Sequence, residues 1–117
     1  MSAYPRRGEV WQVRPAEPEA KRTMPALVVQ NDLGNQHAPT ILIAPLTRGK
    51  AQIYPFEVAV LPPEGGVTKS TLVNLSQIHL VARDRLAQRL GKLKEETMRE
   101  VDEAICLSLG VERTGAG

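Results

Sequence analysis

Up to Val81 the apolar positions of this chain come in short runs with strand character, and beyond Asp84 they follow a helical period. Gly8 to Arg14 (GEVWQVR) sets Val10, Trp11 and Val13 among polar residues and predicts a first strand. Pro25 opens a second run, where a strand tolerates proline, and Leu27, Val28 and Val29 fill both faces as in a central strand. Ile41 to Ala44, continuing to Thr47, predicts a third strand of the same kind. Tyr54 to Leu61 predicts a fourth, with Phe56, Val58 and Val60 on one face and Glu57 and Ala59 on the other. Thr71 to Leu75 and Gln77 to Val81 add two short strands, the second with Ile78 and Leu80 inward and Gln77 and His79 on the polar face.

The connections are equally legible. Pro15 to Met24 is a polar, proline-bearing loop of about ten residues, a length that often carries function. Asn31 to Pro39 has turn chemistry throughout and holds His37, expected as a solvated loop residue. Thr47 to Gln52 is a basic turn, and Pro62 to Gly66 interrupts the chain again. Leu86 and Leu90 predict one or two helical turns over residues 84–90, stopped by Gly91. Lys94 to Leu109 is the strongest helix, with Met98, Val101, Ile105 and Leu109 on one apolar face and Ala104 widening it. Glu95 and Glu96 suit its first turn, where the helix dipole favours negative charge, and Gly110 supplies the stop. Six short strands and one amphipathic helix predict a mainly β domain with a C-terminal helix (α+β): a curled antiparallel sheet or barrel with the helix over one opening.

Length and composition change this picture little. At 117 residues the chain has room for one core, expected over residues 1–111 with 112–117 a frayed tail. No apolar run approaches the roughly 18–20 residues of a membrane span, and the N-terminus lacks the apolar stretch of a secretory signal. A lone cysteine, Cys106, fits a packed apolar position in a reducing cytoplasm. Charge is more telling. Residues 1–93 carry twelve Lys/Arg against seven Asp/Glu, whereas residues 94–117 carry three against six, so a basic body suited to a polyanion precedes an acidic tail. Aromatic residues are only 3% of the chain, so base-stacking platforms must be few. Zinc-type Cys/His spacing, a Gly-rich phosphate loop and a Gly-x-Ser-x-Gly elbow are all missing from the sequence, and neither a metal nor a cofactor is expected.

The order of several segments resembles the MazF/PemK (Kid) family of toxin endoribonucleases from bacterial toxin–antitoxin modules. The likeness begins at Arg7-Gly8-Glu9-Val10-Trp11, continues through Pro25 to Asp32 and Thr40 to Thr47, and passes Tyr54-Pro55-Phe56-Glu57-Val58. Ser70, Gln77-Ile78, Arg85-Leu86, Gly91, Leu93 and the closing helix complete it. The resemblance implies an SH3-like barrel of the CcdB/PemK type and a homodimer. It further implies metal-independent cleavage of single-stranded mRNA at a short ACA-like motif, leaving 2′,3′-cyclic phosphate and 5′-hydroxyl ends. A cognate MazE-like antitoxin would neutralise the toxin by laying an extended acidic tail across the RNA site.

Attack by a 2′-hydroxyl needs a proton acceptor, a proton donor for the leaving 5′-oxygen, and donors for the charge that builds on phosphorus. Thr47 matches the family's threonine at the end of the third strand, and Glu19 an acidic position in the first loop. The family's arginine before the proline of the second strand is here Met24, which can neither donate to phosphate nor carry a proton. Arg22, two residues earlier, points the same way in an extended segment and is the expected substitute, with Lys21 and Arg48 as other candidates. His79 stands where the family more often has arginine or lysine, and histidine is the side chain suited to acid or base work near neutral pH. Thr47, Arg22 and His79 are therefore the expected catalytic residues, and Glu19, Lys21, Arg48, Lys50 and Gln77 the expected RNA contacts. Two other readings stay open: a barrel that binds RNA or antitoxin but has lost catalysis through Met24, and a CcdB-like poison of DNA gyrase.

Overall fold

The computed structural model describes residues 4–17 and 22–112. The described residues form seven strands and two α-helices: β1 (Glu9–Val13), β2 (Met24–Val28), α1 (Asp32–His37), β3 (Thr40–Arg48), β4 (Glu57–Val60), β5 (Thr71–Asn74), β6 (His79–Ala82), β7 (Leu86–Lys92) and α2 (Glu95–Leu109). Short 3₁₀ turns at Glu64–Gly66, Leu75–Gln77 and Arg83–Arg85 join the later strands.

The nine-residue β3 organises the sheet. Its first half pairs with β6 and its last three residues with β5, while β2 lies along its other edge. All pairings are antiparallel, in the order β4-β5-β3-β2-β1-β7 with β6 beside β3. Because β3 belongs to both halves, the sheet curls around it and acquires an inner and an outer apolar face. Leu42, Ala44 and Leu46 point inward to a cluster with Val10, Leu27, Val58, Val73, Leu75, Val101 and Ala104. Ile41 and Ile43 point the other way, to Val13, Ala26, Val28 and Val81, with Trp11 and Leu86 packed against them. Both faces are buried at Ala26–Val28 of β2 and at Ile43 and Ala44 of β3, as the apolar runs there require.

Helix α2 packs on β4 and the Leu75–Gln77 turn through Val101 and Ala104, with Met98 and Ile105 partly buried beside them. Its first turn is tied down because Glu64 accepts a hydrogen bond from the Lys94 N–H at 2.9 Å. Gly110 ends it in the left-handed conformation. Leu109, expected on the packed face, is exposed: it is the last residue of the helix, and the packed face ends at Ile105.

Four further expectations are corrected. Asn31 to Pro39 contains the short helix α1, with Asn31 as its N-cap accepting from the Gly34 N–H at 2.8 Å. The fourth strand begins at Glu57, not Tyr54, and Glu57 is buried, because a turn over residues 54–57 brings its carboxylate back onto the Tyr54 N–H. In the sixth strand Val81 is buried and Leu80 exposed, since β6 pairs with β3 alone and its register sets Val81 opposite Ile41. Gln77 falls in the preceding 3₁₀ turn, outside the strand.

The largest correction is β7. Residues 84–90, read as helical turns, form a 3₁₀ turn and most of a seventh strand along β1. The spacing of Leu86 and Leu90 mimics a helix, but two irregularities in the β1–β7 register, skipping Ala87 and Leu90, account for it. A bulge reverses the alternation of faces. Leu86 therefore packs against the outer cluster and Leu90 against the inner one.

Candidate functional site

The pairing registers bring one end of the outer face together. Leu86 stands opposite Val13, and Val13 opposite Met24. Ala26 stands opposite Pro45, and this register continued by two residues sets Met24 beside Thr47. Thr47 in turn faces Leu72 on β5. His79 lies opposite Ile43, on the same outer face, because directly paired residues share a face. Pairings among six strands thus place Met24, Thr47 and His79 on one surface, although they are far apart in sequence.

Two joined cavities lie there. The first, of about 130 Å³, is walled by Val13, Ala26, Ile43 and Pro45 and carries His79 and Arg85. The second, of about 480 Å³, lies between Thr23 and the Leu46–Arg48 end of β3. Arg22, Met24 and Pro25 border both. Of the expected catalytic residues, Thr47, Arg22 and His79 are therefore brought to one place. Arg48 lines the second cavity; Gln77 and Lys50 line neither. Glu19 and Lys21 lie outside the described residues.

Each group is held differently. The Thr47 hydroxyl donates to the Leu72 carbonyl at 3.4 Å, a long contact that leaves it able to turn to another acceptor. His79 Nδ1 sits 2.9 Å from the Gln77 carbonyl. A carbonyl only accepts, so Nδ1 carries the proton and the neutral ring keeps its lone pair on Nε2. Gln77 thus matters through its backbone, fixing the tautomer. Arg22 is exposed and makes no hydrogen bond to any described residue. Met24 is 56% exposed at the junction of the cavities and brings no polar atom.

Lys50 is engaged elsewhere. Its ammonium lies 3.1 Å from Glu57 and 4.9 Å from the Tyr54 ring centroid, and Tyr54 stacks on Phe56 at 5.4 Å. The Tyr54 N–H bond to Glu57 lowers that carboxyl from its ordinary 4.5; burial opposes this, and Lys50 adds to the lowering. Glu9 is lowered too, as hydrogen bonds from the Arg6 N–H, Trp11 and Arg89 outweigh its burial. A carboxyl lowered by folding stabilises the fold above about pH 4.5, and this contribution is lost as pH falls through the folded-state value. Glu57→Gln is expected to cost about 1–3 kcal/mol at neutral pH, and the variant's melting temperature should change less between pH 7 and pH 3. Parallel melting curves across that range would contradict this role.

Two arginines not expected in the site, Arg14 and Arg85 (the latter noted only as part of the family resemblance), border the first cavity from the β1 and β7 side. Their place depends on the β1–β7 pairing, and the expected helix over residues 84–90 concealed it. Among the described residues no group of three His, Cys, Asp or Glu is placed to hold a metal ion, and no helix is long and apolar enough to cross a membrane.

A curled sheet with one capping helix, whose strand ends gather hydroxyl, imidazole and guanidinium groups, defines a small barrel-like domain with a basic rim. Residues 6–109 match the sequence family described as PemK-like, MazF-like toxin of type II toxin–antitoxin system. A curated relative, the endoribonuclease MazF of Staphylococcus epidermidis, is 35% identical over 111 residues, covering 91% of this chain and 92% of the relative. Among solved structures, a mycobacterial endoribonuclease in complex with its cognate antitoxin superposes with a TM-score of 0.78 at 28% identity, over 92% of this chain and 97% of that one. MazF in a MazE–MazF complex from Deinococcus radiodurans gives 0.77 at 25% identity, over 94% of this chain and 100% of that one. The chain belongs to the PemK/MazF toxin family, and its fold is the barrel-like CcdB/PemK type.

Proposed function

We propose that this MazF-like endoribonuclease toxin cuts single-stranded mRNA at a short ACA-like motif without a metal ion, and that Thr47, His79 and Arg22 carry the reaction. The observation that supports this most is the gathering of the Thr47 hydroxyl and the His79 imidazole around two joined cavities. His79 Nε2 accepts the 2′-hydroxyl proton, and the 2′-oxygen bonds to the adjacent phosphorus. The bond from phosphorus to the 5′-oxygen breaks, and that oxygen takes a proton from water. The products are a 2′,3′-cyclic phosphate and a 5′-hydroxyl. Thr47 donates to a non-bridging oxygen as charge builds there, and Arg22 adds positive charge once RNA orders it. Glu19, Lys21 and Arg48 serve as RNA contacts. The working toxin is a cytoplasmic homodimer, held inactive by a MazE-like antitoxin whose acidic segment covers the arginine-rich rim.

The test is incubation of the purified protein with a long single-stranded RNA in EDTA, followed by mapping of the cut ends. Discrete cuts with cyclic-phosphate ends are expected, about 10²–10³-fold slower for Thr47→Ala and strongly reduced for His79→Ala and Arg22→Ala. Cutting abolished by EDTA would reject the metal-free route. No cutting by the folded wild-type protein would make Met24 decisive and leave a barrel that only binds RNA or antitoxin.

A further inference from the structure

We propose that Arg85, on the turn leading into β7, is a further catalytic residue of this site, presenting its two Nη groups to the non-bridging oxygens of the scissile phosphate. This rests on the endoribonuclease reading above and supplies what it lacks, a cation already fixed before RNA arrives.

Four arginines border the two cavities: Arg14, Arg22, Arg48 and Arg85. Arg22 and Arg48 are exposed, with no hydrogen bond to a described residue through their side chains, so substrate must order them. Arg14 is exposed, and its Nη1 donates to the Asp84 carbonyl at 2.8 Å. Arg85 differs on both counts. It is half-buried, and its Nε donates to the Arg14 carbonyl at 2.8 Å while the Arg14 N–H donates back to the Arg85 carbonyl at 2.7 Å. This reciprocal clamp holds the head of the side chain by its Nε. Among the described residues its Nη groups meet no acceptor. A guanidinium anchored at Nε with both Nη groups open is a preorganised fork for two phosphate oxygens. Preorganised donors stabilise developing charge with no reorganisation at the moment of reaction.

The surroundings favour the same assignment. Arg85 borders the cavity that holds His79 and Met24, so it meets the reacting phosphate on the side where Met24 brings no charge. The described carboxylates are absent from the walls of both cavities, so no described acidic side chain there competes with a phosphate for it. The role is electrostatic. No proton leaves Arg85, and the bond changes are those already given.

The experiment is single-turnover cutting of a short single-stranded RNA containing a mapped cut site. It is run with wild type, Arg85→Ala, Arg85→Lys and Arg22→Ala, beside binding of the same RNA carrying a 2′-deoxynucleotide at the cut. Arg85→Ala is expected to cut about 10²–10³-fold more slowly, with a much smaller change in binding. Lysine should restore part of the rate, and added guanidinium ion, well below denaturing concentration, should restore part of the rate of the alanine variant. Rescue separates contact with phosphate from support of the fold, since a merely structural arginine would give none. Cutting by Arg85→Ala at the wild-type rate, or a loss that guanidinium does not relieve, would overturn the proposal. If wild type and variants all fail to cut, the endoribonuclease reading itself falls and Arg85 with it. If only Arg22→Ala is inactive, the cation is Arg22.

Discussion

Gly66→Ala should destabilise the protein by about 4 kcal/mol or more and remove its activity together with its fold. Gly66 has φ +77°, and a Cβ there would lie 2.3 Å from the Leu90 carbonyl oxygen and 2.8 Å from its carbon. Both are backbone atoms of β7, which cannot move aside without breaking its ladder to β1. The facing glycine is subject to the same contact, since a Cβ on Gly91 would meet Gly65 and Gly66 backbone at 2.7–2.8 Å. Two chain segments touch here without side chains between them. The consequence reaches the site, because displacing β7 would shift the turn that carries Arg85. Gly110→Ala is the control: φ is +73° there, but nothing lies within 4 Å of the added carbon. It should cost only the conformational term of about 1–2 kcal/mol. Urea melts of the two variants check this, and equal losses would mean that backbone contact between Gly66 and Leu90 is unimportant.

Asn35→Ala is expected to cost about 2–4 kcal/mol, far more than its place in a polar turn suggests. Asn35 is fully buried, and its amide donates to the Gln30 carbonyl at 2.8 Å and to Asp32 at 3.1 Å. Its oxygen accepts from the Gln30 side chain at 3.2 Å, and Gln30 also donates to the Thr40 carbonyl at 3.0 Å and accepts from the Leu42 N–H at 3.2 Å. The pair closes the crossing from β2 to β3 from inside. Arg83 closes it from outside, donating to the Asn35 and Ala38 carbonyls. Removing the Asn35 amide strands a buried carbonyl and a buried side chain, and such groups lose their full solvation without repayment. Asn31→Ala removes only the exposed N-cap bond to Gly34 and should cost about 1 kcal/mol. Thermal unfolding of both variants tests the difference; similar losses would reduce Asn35 to an ordinary turn residue.

Much of this protein is written locally. The runs at Leu27–Val28 and Ile41–Ala44 have both faces apolar, as a strand buried on both sides requires, and both lie at the centre of the sheet. Helix α2 was equally plain, because Val101, Ala104 and Ile105 repeat at the helical period and Gly110 can take the left-handed stop. The ordered motifs from Arg7 to the closing helix were enough to place the chain in its family.

What the sequence could not decide were features whose cause lies in a distant segment. Leu86 and Leu90 fit a helix by spacing, and only pairing with β1 and the bulges in that pairing made residues 86–92 a strand. Glu57 read as an outward residue, yet the Tyr54 N–H and Lys50 compensate its charge and so permit its burial. The site follows the same rule. The chemical types of Thr47, Arg22 and His79 were visible in the chain, since hydroxyl, guanidinium and imidazole are intrinsic to the residues. Their meeting at two joined cavities, and the presence of Arg85 beside them, were not: strand register is a long-range property, and it decides which side chains share a face.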